Sequence, residues 1–217
     1  MEDTSRFPKH YIIEACVEDL EGSLRADTGG ATQIELCSDL HLDGLTPEQG
    51  LVESVMASVT IPVKIMIRSR AGNFQYVLEE IIKMADQIRS FRHLPIHAFV
   101  IGALDDQGLP DRAALSNWVE AAGEVPLCFH KAIDQSSDWK KALSILSEYD
   151  NITSILTSGL APTAVEGLPV LREMVQLFGD RFQIIAAGSV TRQIVFTMSD
   201  RWPGTAFHGR RILELDH

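Results

Sequence analysis

What this chain does without narrows the field first. Cysteine occurs only three times in 217 residues, a sparse and odd count that argues against a disulfide framework and fits a reducing compartment. No apolar run approaches the roughly twenty residues that a membrane-spanning helix needs, so no membrane partner is expected. The opening residues Met1-Glu2-Asp3-Thr4-Ser5-Arg6 are polar and acidic rather than basic and then apolar, unlike a secretory leader. A cytoplasmic location is the expectation. Positive charge is also scarce: 19 Lys and Arg stand against 30 Asp and Glu, a formal net charge of −11. Such a chain repels phosphate backbones, and nucleic acid is not an expected partner. No Pro/Ser-rich linker, low-complexity tract or charge block divides the sequence, so residues 1–217 read as a single domain. With 45% hydrophobic and 23% charged residues, the chain is ordinary globular material.

What is present is a regular alternation. Strand-like apolar runs occur at 11–17, 32–37, 63–68, 97–102, 126–130, 152–157, 182–187 and 204–208. Between them apolar residues recur at helical spacing, as in Leu51, Val52, Val55, Met56 and Val59, in Val77, Ile81, Met84 and Ile88, and in Leu168, Leu171, Val175 and Phe178. Thr46-Pro47-Glu48-Gln49 reads as a capping box with proline at the first helical position, and Gly29, Gly123 and Gly179 read as helix ends. Strand followed by helix, about eight times over, implies a parallel sheet. An open sheet of that kind normally carries a glycine-rich turn after its first strand, whereas here Val17-Glu18-Asp19-Leu20 follows. The expectation is therefore an α/β fold, a compact (β/α)8 TIM-type barrel. Its last unit is the weakest, because Ile212 to His217 has room for only a fragment of a helix.

Side chains alternate along a strand, so Glu14 and Cys16 share one face and Ile13 and Ala15 the other; Glu35 and Cys37 share a face opposite Ile34 and Leu36. With the apolar set on the helices, a Glu-x-Cys pair from each of two neighbouring strands faces the lumen near the carboxyl end, where barrel sites are built. Met66 and Arg68 on the third strand, Cys128 and His130 on the fifth and Thr157 at the end of the sixth join them. Inward carboxylates are uncommon without purpose, and Arg68 is the nearest expected cation for Glu14 and Glu35. Two thiolates, with Met66, select Cu(I) over hard ions; zinc is less well matched, since no close Cys pair is present. Each of these residues also has a plain reading: a buried Cys packs as a small hydrophobe, Met66 fills core, Lys64 snorkels to the barrel bottom, and His97 and His208 are surface residues or satisfied by partners. The basic loop Arg68 to Phe74 overhangs this end of the barrel and is placed to hold a small anion. The Ala187-Gly188-Ser189 turn stands where many barrels bind phosphate.

The segments Glu14-Ala15-Cys16-Val17, Ile34-Glu35-Leu36-Cys37, Gly44-Leu45-Thr46-Pro47, Met66-Ile67-Arg68, Phe129-His130 with Ala132 and Asp134, and Leu156-Thr157-Ser158-Gly159 occur in this order. As an ordered set they closely resemble the CutC family, known as copper homeostasis proteins. The resemblance implies the barrel fold, a cytosolic protein that forms homo-oligomers, and copper as the bound ion, with Cys16 and Cys37 as its ligands. It further implies Glu14, Glu35, Arg68, Arg70, His130 and Asp134 as pocket residues. The chain departs from the family pattern at Ser69, usually proline, and at Lys131, usually arginine. It departs also at Ala187-Gly188-Ser189, usually richer in glycine, and around Phe207-His208-Gly209, usually small residues. The last two departures weigh against the phosphate-type site and not against the Glu/Cys cluster. Three functions remain in view. The first is Cu(I) handling through Cys16, Cys37 and Met66. The second is a small-molecule enzyme with Glu14, Glu35 and His130 as acid and base groups, and Arg68, Arg70, Asp134 and Thr157 holding an anionic substrate. The third is a non-catalytic oligomeric scaffold.

Overall fold

The computed structural model describes residues 7, 8 and 10–214. Eight parallel strands close in chain order into a barrel. They are β1 (Ile12–Val17), β2 (Gln33–Leu36), β3 (Val63–Met66), β4 (Ala98–Ile101), β5 (Leu127–Phe129), β6 (Ile152–Thr157), β7 (Gln183–Ala186) and β8 (Ala206–Gly209). Helices α1 (Leu20–Thr28), α2 (Gln49–Ser58), α3 (Leu78–Phe91), α4 (Arg112–Ala122), α5 (Trp139–Leu146), α6 (Leu168–Phe178) and α7 (Arg192–Ser199) fill the crossovers. Every expected strand is present within two residues of its expected bounds. Pairing of β8 with β1, Glu14 opposite His208, closes the ring and excludes an open sheet. Among the described residues no helix follows β8. Residues 210–214 form a turn in which Arg211 bridges Thr191, and the rest of the expected fragment lies outside the described residues.

Strand alternation divides the interior in two. Ile13, Ala15, Ile34, Leu36, Ile65, Phe99, Phe129 and Phe207 point outward and pack with Val55, Met84, Trp118, Leu143 and Leu171 of the helices. Cys16, Cys37, Met66, Val100, Cys128, Leu156, Ile185 and Ala206 form a smaller inward cluster that fills the lumen.

Helix starts follow local chemistry. Asp19, Asp111, Asp138 and Thr191 each cap the helix that follows by accepting from its first backbone N–H groups. Gly123, at φ 63°, ends α4 in a conformation that disfavours a Cβ. The Thr46 capping box does not form: α2 begins at Gln49 behind Glu48, which makes no side-chain cap bond. Thr46 is instead held at the end of β3. Its backbone N–H donates to the Arg68 carbonyl at 3.0 Å, and its hydroxyl accepts from the Arg68 N–H at 2.8 Å. A tertiary bond has taken the residue that the local pattern assigned to the helix.

Candidate functional site

β1 and β2 run side by side with Cys16 opposite Glu35, so their inward residues meet at the top of the lumen. The Cys16 and Cys37 sulfurs lie 3.8 Å apart. Both reach Glu35 Oε1, Cys16 Sγ at 3.7 Å and Cys37 Sγ at 3.5 Å. Glu35 is 2% exposed, and its other oxygen, Oε2, has no hydrogen-bond partner. Met66 is buried in the same cluster as both cysteines.

One level below, Glu14 is fully buried and surrounded by partners. Lys64 Nζ lies 2.8 Å from Oε2, the Gln33 amide donates to the same oxygen, and His208 Nδ1 lies 2.8 Å from Oε1. The cations serving the two carboxylates are thus Lys64 and His208, not Arg68. The register explains both. Lys64 sits opposite Glu35 on β3 and reaches across to Glu14, whereas Arg68 lies beyond the end of that strand. Lys64 does not snorkel outward; it is 2% exposed and paired inside. His208, read as a surface or a satisfied residue, is satisfied: it is buried at 8% exposure between Glu14 and Glu35, the latter 3.9 Å away. Barrel closure was the available signal: once β8 lies beside β1, alternation carries His208 inward to the level of Glu14.

The electrostatics follow from this geometry. Burial alone would raise the Glu14 carboxyl, but the charges of Lys64 and His208 hold it well below the usual range. Burial drives Glu35 up to about 8, the neighbouring Cys16 and Glu14 charges adding to the rise. Burial would lower His208, yet Glu35, Cys16 and Glu14 keep it well above an ordinary imidazole. The hydrogen bond from Cys37 brings Cys16 down to about 5 against the cost of burial, with His208 helping; the same bond pushes Cys37 up. The cluster thus favours the charged form at Cys16 and His208 and opposes it at Cys37 and Glu35. Burial raises Cys128 to about 11, and it stays a packed thiol.

Above this cluster a cavity of about 550 Å³ opens at the carboxyl ends of the strands. Cys16, Glu35, Met66, Arg68, His130, Asp134 and His208 line it, as do the Gly188-Ser189 turn and Arg210. Of the other expected site residues, Glu14 lies beneath the cavity. Arg70 is turned to Glu80 at 2.6 Å and does not line it. Thr157 lies behind the wall and donates to Asp134 Oδ1 at 2.5 Å. The Asp134 carboxylate also accepts from the Ser158 N–H and hydroxyl and the Leu160 N–H, so it organises the loop after β6. His130 Nδ1 accepts the Ala132 N–H at 3.1 Å, and burial with the nearby Arg68 charge holds its pKa down to about 3. A neutral ring whose Nδ1 is an acceptor carries its proton on Nε2. It is therefore a donor rather than a base, on a residue that lines the cavity. The ring packs against Gly102, where any Cβ would overlap His130 Cε1 and Nδ1.

Comparison with known proteins agrees with this architecture. The CutC family model matches residues 11–211. A CutC-family protein of Aliivibrio fischeri is 40% identical over 83% of this chain and 74% of its own length. A human relative called "Copper homeostasis protein cutC homolog" is 33% identical over 91% of this chain and 72% of its own. The crystal structure of CutC from Streptococcus agalactiae superposes with a TM-score of 0.87 at 29% identity, covering 93% of this chain and 99% of that one. A sialic acid aldolase of Ruminococcus gnavus, at 13% identity and a TM-score of 0.66, shares the barrel alone. A family match across nearly the whole described chain, on a closed barrel with the Glu-x-Cys strands side by side, shows that this chain belongs to the CutC family.

Proposed function

We propose that the chain is a cytoplasmic Cu(I)-handling protein in which Cys16 and Cys37 take the ion. The observation that carries this reading is the 3.8 Å sulfur pair at the cavity floor. Two close sulfurs suit a soft monovalent ion better than any oxygen-preferring cation. Two thiolates and one Cu(I) together bear a single negative charge, and the His208 imidazolium beside Cys16 offsets it. A carboxylate next to a thiol opposes its ionisation, but burial pushes Glu35 toward its neutral form and His208 supplies a compensating positive charge. Met66, in the same buried cluster, is a further soft donor within the wall. Three unpaired buried thiols support a reducing cytoplasm as the place of work, and relatives carrying copper homeostasis names support the cargo.

A second reading is favoured by the cavity itself, whose 550 Å³ lies within the range of small-molecule pockets and exceeds what a lone ion needs. In it Glu35, poised at about 8, moves a proton on a small anionic substrate, while Glu14 is kept as a fixed anion by Lys64. Titration of reduced protein with Cu(I) against a calibrated chelator separates the two readings. The copper reading expects one tightly held ion per chain, lost when Cys16→Ser and Cys37→Ser are combined. Weak binding that is equal in both proteins would overturn it and leave the second reading.

A further inference from the structure

Arg68 is a buried cation without a buried anion. It is 4% exposed, and three of its donors are spent on backbone carbonyls: Nη1 on Leu42 at 2.9 Å and Gly44 at 3.2 Å, Nη2 on Gly72 at 3.1 Å. Its Nε–H has no hydrogen-bond partner, and among the described residues no carboxylate pairs with it. Asp134, on the same cavity wall, is saturated by Thr157, Ser158 and Leu160. Tyr76, close to Arg68, is a phenol kept neutral by burial. A charge at this depth is costly unless an opposite charge meets it.

His130 stands beside it. Phe74 links the two, its ring centroid 5.1 Å from the Arg68 guanidinium carbon and 4.8 Å from the His130 ring. His130 is 4% exposed, its proton is placed on Nε2 by the Ala132 bond, and that Nε2–H also has no partner. Both residues line the cavity.

We propose that Arg68 and His130 form a carboxylate-binding subsite, distinct from the thiol pair, which holds the charged end of a small organic acid inside the barrel mouth. Charge counting selects the class. One guanidinium and one neutral imidazole N–H balance a single negative charge, whereas a phosphate ester brings about −1.5 to −2 and leaves part of that charge unmatched at these two donors. The planar donors suit a planar carboxylate, and Leu156 and Met66 on the cavity wall offer apolar surface to its carbon body. This names the ligand class of the second reading and rests on that reading only for its purpose. Failure here leaves the Cu(I) titration unaffected, and failure of the titration leaves this subsite standing.

The test uses copper-free, reduced, full-length protein carrying ¹⁵N-labelled histidine, with propionate titrated at constant ionic strength. Propionamide serves as the uncharged isostere and inorganic phosphate as the more highly charged arm. The expected result is a saturable shift of the His130 imidazole signals with propionate, at roughly millimolar affinity. Propionamide should give no saturation, and phosphate at least tenfold weaker binding. Arg68→Gln should weaken propionate at least tenfold. Should that variant fail to fold, the propionate and propionamide arms on the unmodified chain decide alone. No saturable shift with propionate, equal shifts with the amide, or phosphate binding as tight as propionate would each overturn the proposal.

Discussion

Glu14 shows at the scale of one residue how the site is held. Its buried carboxylate is stable only because Lys64 lies 2.8 Å away on one side and His208 2.8 Å away on the other. Removing one member of a buried pair leaves an uncompensated charge, at a cost of about 3–5 kcal/mol. Lys64→Met is therefore expected to lower unfolding free energy by about that amount at pH 7, read by urea titration. Adding Glu14→Gln should restore most of it, while a loss under about 1 kcal/mol for Lys64→Met would contradict the assignment. The pH dependence has a fixed sign. The folded Glu14 pKa lies below its unfolded value of about 4.3, so the contribution is complete above that pH and declines as pH falls further toward the folded value. Alternation alone places Glu14, Cys16, Glu35 and Cys37 on one face, so that much of the site is legible in the sequence. Lys64 and His208 were not legible as partners, because their roles depend on which strands become neighbours and in what register.

At the scale of elements, local signals work where no distant bond competes. Asp111 accepts from the Ala113 and Ala114 N–H groups at 2.8 and 3.1 Å, so Asp111→Ala should cost about 1 kcal/mol. Glu48, at the same position before α2, makes no such bond, and Glu48→Ala should change stability by no more than about 0.5 kcal/mol. Equal losses in thermal or urea unfolding would show that caps are not what sets these helix starts. The eight strands were readable because their apolar runs are buried on both faces and bounded by turns. The α2 start was misread because Thr46 carries an intact local signal while its hydroxyl and backbone N–H are bound to Arg68. Nothing within four residues of Thr46 announces that competition.

For the whole molecule, closure of the sheet turns separate motifs into a site. It sets Glu-x-Cys from β1 beside Glu-x-Cys from β2, brings His208 back to them from near the far end of the chain, and roofs them with a cavity walled by Arg68 and His130. The barrel was legible from the alternation of elements. The cavity was not, because its walls are loops whose course depends on contacts such as Asp134 with Ser158 and Leu160. Copper K-edge X-ray absorption of the Cu(I)-loaded full chain tests whether the sulfur pair is the ion's seat. The account predicts a first shell dominated by sulfur, with at least two sulfur neighbours in the unmodified protein and fewer in Cys37→Ser; a shell of nitrogen and oxygen alone would contradict it.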